Sequence, residues 1–596
     1  MILKKKPPLL LTVGTAVLLI GGGAIAYWGA MRRSELSKDL PTGATVIPQE
    51  VLMTVTFTTD EGQWRKLRQF GVPETQADFD AALARWRDRL LTDNGYNFKR
   101  DIQPWVGEEI TLAFLPGERD KADTASALND PLSQAEYELD DPQRSLMLVL
   151  PIANPEKAQE ILAKPKDPAV SWVGRNYKGV QIQEIQTRSD KRLAAAVLGA
   201  ELLVVTPHPQ LAELAVDTYR GAKSVMQIPG YSKAFRQVAT SSVFAKLYIN
   251  MPIAVEALSA YSAPLPSRSG LTQFQGNQGL AATVTLEPGG IHFQGASWLA
   301  PGSNRTYQVS NDASQLPRRL PANTLMMVSG GNLQGLWQDY SQGPQQGSLL
   351  PLGADDLRGG VQSYTGLDLD DDLMAWMEGE FALAIVAPNS LEKTEVNSST
   401  AEPINFLPGL LFMVQVSDRA AAEKKLAQLD DVIASRYRYQ VNTAQVADQT
   451  VVRWISPFQS TTISHGWLDN NIAFLALGNP VVEAIVPRPN RSLAETNLFQ
   501  ATTSLGAKSN NGHFFLNLDQ LNQIEGTDLL PELPPNGKKI TAAIEAIGVT
   551  AAIQNERSTR YDVFVALPKG KRPGALPSPK KFQGDDESSQ KEAAEE

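Results

Sequence analysis

SLMLVLPIANPEKAQEIL, residues 145–162, and GLLFMVQVSDRAAAEKKL, residues 409–426, decide how this chain is read. Each is an apolar strand, then a cap residue (Asn154 or Asp418), then an amphipathic helix. Pro155 opens the first helix where a missing N–H costs nothing. The succession repeats outward from both segments. LGAELLVVTPHPQLAELAV at 198–216 matches LDNNIAFLALGNPVVEAIV at 468–486, each a turn, a strand and a helix opened by Pro209 or Pro480. DIQPWVGEEITLAFLP at 101–116 parallels DDLMAWMEGEFALAIVAP at 371–388, setting Trp105 against Trp376 and Glu109 against Glu380. KLYINMPIAVEAL at 246–258 parallels FFLNLDQLNQI at 514–524, and LAATVTLE at 280–287 parallels VTAAIQNE at 549–556. The matches keep one order along the chain. They predict an internal duplication with units at 41–300 and 317–568.

Short turns rich in glycine and asparagine join neighbouring strands, at 198–201, 287–290 and 469–471, and such turns imply antiparallel pairing. The fold class is therefore α+β: two tandem repeats of a mainly antiparallel sheet with helices packed on it. In the first unit Val51 to Thr58 alternates as a strand, and Asp60 caps a helix carrying Trp64, Leu67 and Phe70. A second helix runs from Glu74 with Phe79, Leu83, Trp86 and Leu90 on one face. Residues 34–40 and 301–316 read as polar linkers, the first running into Pro41 and the second opening on Pro301. Residues 569–596 (KGKRPGALPSPKK, then QGDDESSQKEAAEE) lack the apolar content for a core and read as a disordered tail.

Ahead of both units, residues 8–31 (PLLLTVGTAVLLIGGGAIAYWGAM) contain no charge, with Lys4, Lys5 and Lys6 before them and Arg32 and Arg33 after. At about 1.5 Å per residue this segment covers roughly 36 Å, enough for a hydrocarbon core of about 30 Å. Leu9, Leu18 and Ile20 would sit in the membrane, and Tyr27 and Trp28 at its interface. Residues 1–33 thus read as a basic start and single transmembrane anchor. The lysine triplet leaves the N-terminus in the cytoplasm and the bulk outside it, in a periplasm or a thylakoid lumen. The rival reading is a cleaved signal peptide, with Leu9 to Ile20 as its core and Ala24-Ile25-Ala26 as its cleavage pattern. Either reading exports the body.

Composition narrows the chemistry. The absence of cysteine excludes disulfides, thiolate nucleophiles, Cys-ligated zinc, iron–sulfur clusters and a lipidated cysteine. The net charge is −10, and five of the 55 basic residues lie in 1–33 without an acidic one, so the exported body stands at −15. Such a body repels phosphate backbones, and nucleic acid is not an expected partner.

The opening KKKPPLLLTVGTAVLLIGGG, the phrase LPTGATVIPQEVLMTV and the motif DIQPWVGEEITLAF resemble a family of exported or membrane-anchored proteins. That family is widespread in cyanobacteria and known only as a domain of unknown function. The resemblance runs from the anchor to about Pro568. It implies a periplasmic or thylakoid-luminal address and transfers no catalytic residue.

Four histidines, His208, His292, His465 and His513, show no metal-ligand spacing and read as ordinary loop or strand-end residues. LDLDDDL at 367–373 places Asp368, Asp370 and Asp372 at a D-x-D-x-D spacing that suits calcium. Leu373 then stands where the calcium loop needs glycine, and Glu380 falls one place too late. Asp370 or Asp371 capping a short helix is the favoured reading. Phosphate-binding glycine loops, dinucleotide fingerprints and nucleophile elbows are missing, so no cofactor and no catalytic residue is assigned. Trp64, Trp86, Trp105, Trp376 and Trp467 read as core residues. Two loops remain: an acidic one, Glu118 to Gln143, with Glu118, Asp120, Glu136 and Glu138 as candidate partner contacts, and a polar one at 389–408. The functional expectation is a non-enzymatic, membrane-anchored scaffold or assembly and maintenance factor that binds another protein. The alternative is a carrier of an apolar ligand such as a lipid or pigment, and a hydrolase stands third.

Overall fold

Two hairpins close on two-residue turns with left-handed backbone at both positions: Lys178-Gly179 (φ 49° and 80°) and Ala447-Asp448 (φ 45° and 66°). Positive φ at both positions matches the right-handed twist of the strands they join, so adjacent strands pair rather than splay. Gly199-Ala200 and Asp469-Asn470 open three-residue loops in the same way. Antiparallel pairing, in hairpins and between more distant segments, joins every strand among the described residues. The computed structural model describes residues 39–92, 96–116, 145–162, 171–186, 192–259, 276–308, 310–342, 353–388, 408–457, 462–478, 481–524, 539 and 541–578.

The strands are β1 (Met53–Thr58), β2 (Glu109–Phe114), β3 (Leu146–Pro151), β4 (Ser171–Tyr177), β5 (Val180–Gln186), β6 (Arg192–Leu198), β7 (Leu202–Thr206), β8 (Ala245–Asn250), β9 (Asn277–Glu287) and β10 (Gly290–Leu299). There follow β11 (Thr324–Gly330), β12 (Phe381–Val386), β13 (Gly409–Gln415), β14 (Gln440–Val446), β15 (Gln449–Ile455), β16 (Thr462–Leu468), β17 (Ile472–Leu477), β18 (Gly512–Asn517), β19 (Ala546–Asn555) and β20 (Ser558–Ala566). The helices are α1 (Glu61–Leu67), α2 (Pro73–Leu90), α3 (Pro155–Leu162), α4 (Pro209–Tyr219), α5 (Tyr231–Gln237), α6 (Met251–Ser259), α7 (Leu333–Gln342), α8 (Ala354–Thr365), α9 (Arg419–Tyr437), α10 (Val481–Ile485), α11 (Asn497–Thr503) and α12 (Leu518–Leu521).

All these strands join one antiparallel sheet. Its order is β4-β5-β6-β7-β3-β2-β1-β8-β9-β10, then β20-β19-β18-β11-β12-β13-β17-β16-β15-β14. Read outward from the middle, the second run of ten repeats the order of the first. The middle is the β10–β20 ladder, from Gly290↔Ala566 to Trp298↔Ser558, with Gln294 opposite Asp562 at its centre. Separate sheets in 41–300 and 317–568 were the expectation. The two instead share a sheet, because the last strand of each offers an open edge to the other and unpaired backbone groups are costly.

The two faces are buried differently. On one, α4 and α5 cover Ala113, Met147, Val149 and Tyr248 of the first half, while α10 and α11 cover Ala384, Leu411, Phe474 and Phe515 of the second. On the other, a single core crosses the seam. It joins Val55, Phe57, Ile110, Leu112 and Leu247 to Ile547, Val549, Phe514, Leu516 and Val563, with Trp64 of α1 and Leu518 of α12 packed in.

Two segments read as peripheral are tied into the fold. Within 301–316, Asn311 exchanges side-chain hydrogen bonds with Ile553, and Ala313 and Leu316 are buried. Residues 569–578 run back along the first half: Gly570 N donates to Gln69 O, Gln76 to Lys571 O, Arg68 to Gly574 O and Arg87 to Pro577 O. The segment buries little of its own, and the donors that hold it lie some five hundred residues upstream, so its composition carries no trace of the contact. Residues 579–596 lie outside the described part. No helix among the described residues is long and apolar enough to cross a membrane, and residues 1–38 lie outside them.

Candidate functional site

The matched tryptophans sit on matched turns. Phe98–Ile102 and Leu369–Leu373 are both five-residue π-helical turns. In the first, Asn97 N donates to the Asp101 carboxylate (2.7 Å) and Trp105 Nε1 to Asp101 O (2.7 Å). In the second, Asp368 N donates to the Asp372 carboxylate and Trp376 Nε1 to Asp372 O, both at 2.8 Å. An aspartate thus closes the turn from within, and a buried indole pins its exit.

This arrangement accounts for the aspartate run. The cap is Asp368, whose carboxylate accepts from Asp370 N (2.9 Å) and Asp371 N (2.8 Å), and not Asp370 or Asp371 as the sequence suggested. The turn begins two or three residues earlier than the charge pattern implied. Asp370 accepts from Arg358 (2.5 Å) and from the Trp337 indole (2.5 Å), and the Arg358 guanidinium holds its carboxyl below the usual range. Asp372 accepts from Lys425 of α9 (2.5 Å), and that ammonium, with the Asp368 N–H, lowers its pKa. The three carboxylates therefore serve three separate sets of donors. No three His, Asp or Glu residues gather as metal ligands among the described residues.

The matched glutamates brace the start of each half. Glu109 pairs with the buried Lys246 (2.8 Å) and accepts from Thr42 (3.1 Å). Glu380, 2 % exposed, accepts from the backbone N–H groups of Gln315 and Leu316 at 3.0 Å, and burial raises its pKa. Of the histidines, His208 precedes α4 without a side-chain cap bond. His292 faces Asp562 (3.2 Å) at the seam, and His465 faces Asp430 (2.8 Å), which also accepts from Trp454. Neither is hydrogen-bonded to a hydroxyl among the described residues, so no nucleophile–base pair forms there. His513 contacts Thr550 (3.1 Å), and burial lowers its pKa to about 4. Trp64, Trp105 and Trp376 are buried, while Trp467 lies half-buried beneath Arg419.

A surface the sequence did not single out lies in the second half. Across β12, β13, β17 and β16 the cross-strand rows Leu383–Phe412–Leu475 and Ile385–Leu410–Leu477–Ile463 share one face. Leu383, Leu410, Leu475 and Leu477 are 37–41 % exposed, forming a contiguous apolar surface beside the shared core. The corresponding first-half row, Leu112–Leu148–Val205, packs into that core, with Leu112 1 % exposed. The sequence could not distinguish the two, since both sets of strands are apolar on both faces. The candidates Leu9, Leu18, Ile20, Tyr27, Trp28, Glu118, Asp120, Glu136 and Glu138 lie outside the described residues.

A family model described as a protein of unknown function, DUF3352, matches residues 12–567. The chain belongs to the DUF3352 family. No curated protein matches this DUF3352 chain. Among solved structures it is similar to crystal forms I and IV of TP0453, at 8 % and 11 % sequence identity with TM-scores of 0.25 and 0.23. Those alignments cover 44 % and 45 % of this chain and 81 % and 85 % of theirs. A likeness at that TM-score carries no weight for function.

Proposed function

We propose that this DUF3352 protein is a non-enzymatic, single-pass membrane-anchored scaffold that docks another protein on the apolar face of β12, β13, β16 and β17. Its N-terminus is cytoplasmic and its body lies in the periplasm or the thylakoid lumen, a placement supported by the uncharged stretch 8–31 and its flanking lysines. The body is an internal duplication, a reading supported by the repeated strand order and the paired Asp–Trp turns. One observation carries the docking reading: four leucines on adjacent strands stand more than a third exposed in unbroken rows. Contiguous exposed apolar surface of this kind marks interaction sites in soluble bodies.

The test is affinity capture of the full chain from intact membranes, comparing the native protein with the double variant Leu410→Lys/Leu475→Lys. Loss of specific co-purifying proteins at an unchanged melting midpoint supports the reading. An identical set of captured proteins refutes it. The same surface would suit an apolar ligand, and native mass spectrometry of the full chain released from micelles separates the readings: a bound small molecule lost in the double variant favours the carrier.

A further inference from the structure

The sheet has two outer edges, and they are built differently. β4 carries Arg175, held across its face by Glu184 (3.3 Å) and Glu213 (2.5 Å), and Gly174 beside it. A charge and a glycine on an edge strand discourage pairing with another chain. β14, QVNTAQV, carries no charge, proline or glycine, and its seven-residue ladder with β15 runs without a bulge. Among the described residues it pairs with no other strand. Gln440, Asn442, Thr443 and Gln445 are exposed. Just beyond its ends stand Arg438 and Asp448, both exposed, both with left-handed backbone (φ 57° and 66°), and neither in an ion pair among the described residues.

We infer that β14 is a homodimer edge, pairing antiparallel with β14 of a second copy of this chain about a two-fold axis at Thr443. The choice of occupant rests on self-complementarity. Thr443 is the midpoint of the strand, and pairing centred there sets Gln440 opposite Val446 and Val441 opposite Gln445. The same register brings the end of each copy that carries Arg438 beside the end of the other that carries Asp448, so the two charges flanking the edge can be neutralised twice. The chain already closes one junction in this manner at β10–β20, where two terminal strands meet antiparallel about a central pair. A two-fold contact is the closed solution for identical edges, because it uses up both and leaves no strand to propagate.

The native chain has no cysteine, so Thr443→Cys introduces a unique thiol on the proposed axis. Directly opposed residues of antiparallel strands have Cα atoms about 4.5–5.5 Å apart, within disulfide reach. Mild oxidation of the full-length variant in membranes is expected to give a covalent dimer. Lys424→Cys, on the exposed side of α9, is expected to give none above background. Combining Thr443→Cys with Asp448→Arg should lower the yield about fivefold, and adding Arg438→Asp should restore it. A yield from Thr443→Cys no greater than from Lys424→Cys overturns the proposal. So does a yield indifferent to the charge swap, since that would reflect crowding of anchors and not strand pairing.

Discussion

The two halves of this molecule run the same strand order with different surfaces. Their rigid elements agree closely: a π-helical turn closed by an aspartate, a tryptophan four residues on, and a glutamate at or beside the next strand recur on both sides of the seam. Their sheet faces do not agree. In the first half the leucine row of β2 and β3 is packed into the shared core, whereas in the matching row of β12, β13 and β17 Phe412 packs against a neighbouring cluster and the leucines on either side of it stand more than a third exposed. Framework positions are fixed by hydrogen-bond geometry, which tolerates few substitutions. Face positions require only apolar character, and whether they are covered depends on what packs above them.

The largest test of that contrast compares equivalent leucines. Leu112→Ala empties a fully enclosed site and is expected to cost about 3–4 kcal/mol. Leu383→Ala, at a position more than a third exposed, is expected to cost under about 1 kcal/mol. Chemical denaturation of the full chain measures both. Equal costs would mean that the second face is enclosed after all.

The halves also differ at corresponding positions of β8 and β18, where Lys246 and His513 stand four residues before Asn250 and Asn517. Lys246 lies 2.8 Å from Glu109, whereas His513 is mostly enclosed beside Phe499 with its pKa lowered to about 4. A histidine with a lowered folded pKa binds fewer protons folded than unfolded. Its stabilisation is therefore complete above the unfolded value of about 6.5 and is lost as pH falls through about 4. The loss is on the order of 3 kcal/mol if burial is maintained. His513→Phe should flatten that part of the stability–pH curve. A curve of unchanged slope would show that other groups carry the acid sensitivity.

A smaller effect attends the aspartate turns. Asp101 is bridged by the neighbouring Arg100, whereas Asp372 is bridged by Lys425 from the nineteen-residue α9, so in the second half the turn's own aspartate fastens a long helix. Asp372→Asn should cost about 1–2 kcal/mol, and Lys425→Met should remove most of the difference between Asp372→Asn and Asp101→Asn. A calcium chelator should leave the melting midpoint of the native chain unchanged. A fall in the midpoint would return Asp368, Asp370 and Asp372 to the status of ligands.

Much of the scaffold was legible because its signals are local. Asp60 and Asp418 cap helices where the sequence placed them, and the strands and turns around 198–206 and 468–477 follow from residue types within a few positions. The junction of the halves was not legible. Pairing of Gln294 with Asp562 depends on two edges meeting, and no pattern within either strand encodes its partner. The strap at 569–578 escaped for a related reason, since its backbone carbonyls are held by Arg68, Gln76 and Arg87. Asp368 was missed as the cap because four aspartates in five positions offer the same local signal, and only the backbone start of the turn selects among them.

The smallest expected change in stability belongs to the open leucine row, and it bears most directly on function. Leu475 lies between Phe412 and His465 in its cross-strand row with 39 % of its surface exposed. Replacing it with lysine puts a flexible side chain at a position where its ammonium reaches water along its own methylene stem. The stability change should stay within about 0.5 kcal/mol, the range of surface substitutions. The same ammonium would be stripped of water by a partner seated on the row, at a cost of several kcal/mol. Association should therefore fall by orders of magnitude while folding is untouched, and that separation is what distinguishes a docking face from an incompletely packed core. If Leu475→Lys instead lowers the unfolding midpoint as Leu112→Ala does, the row is structural and the contrast between the halves is one of packing alone.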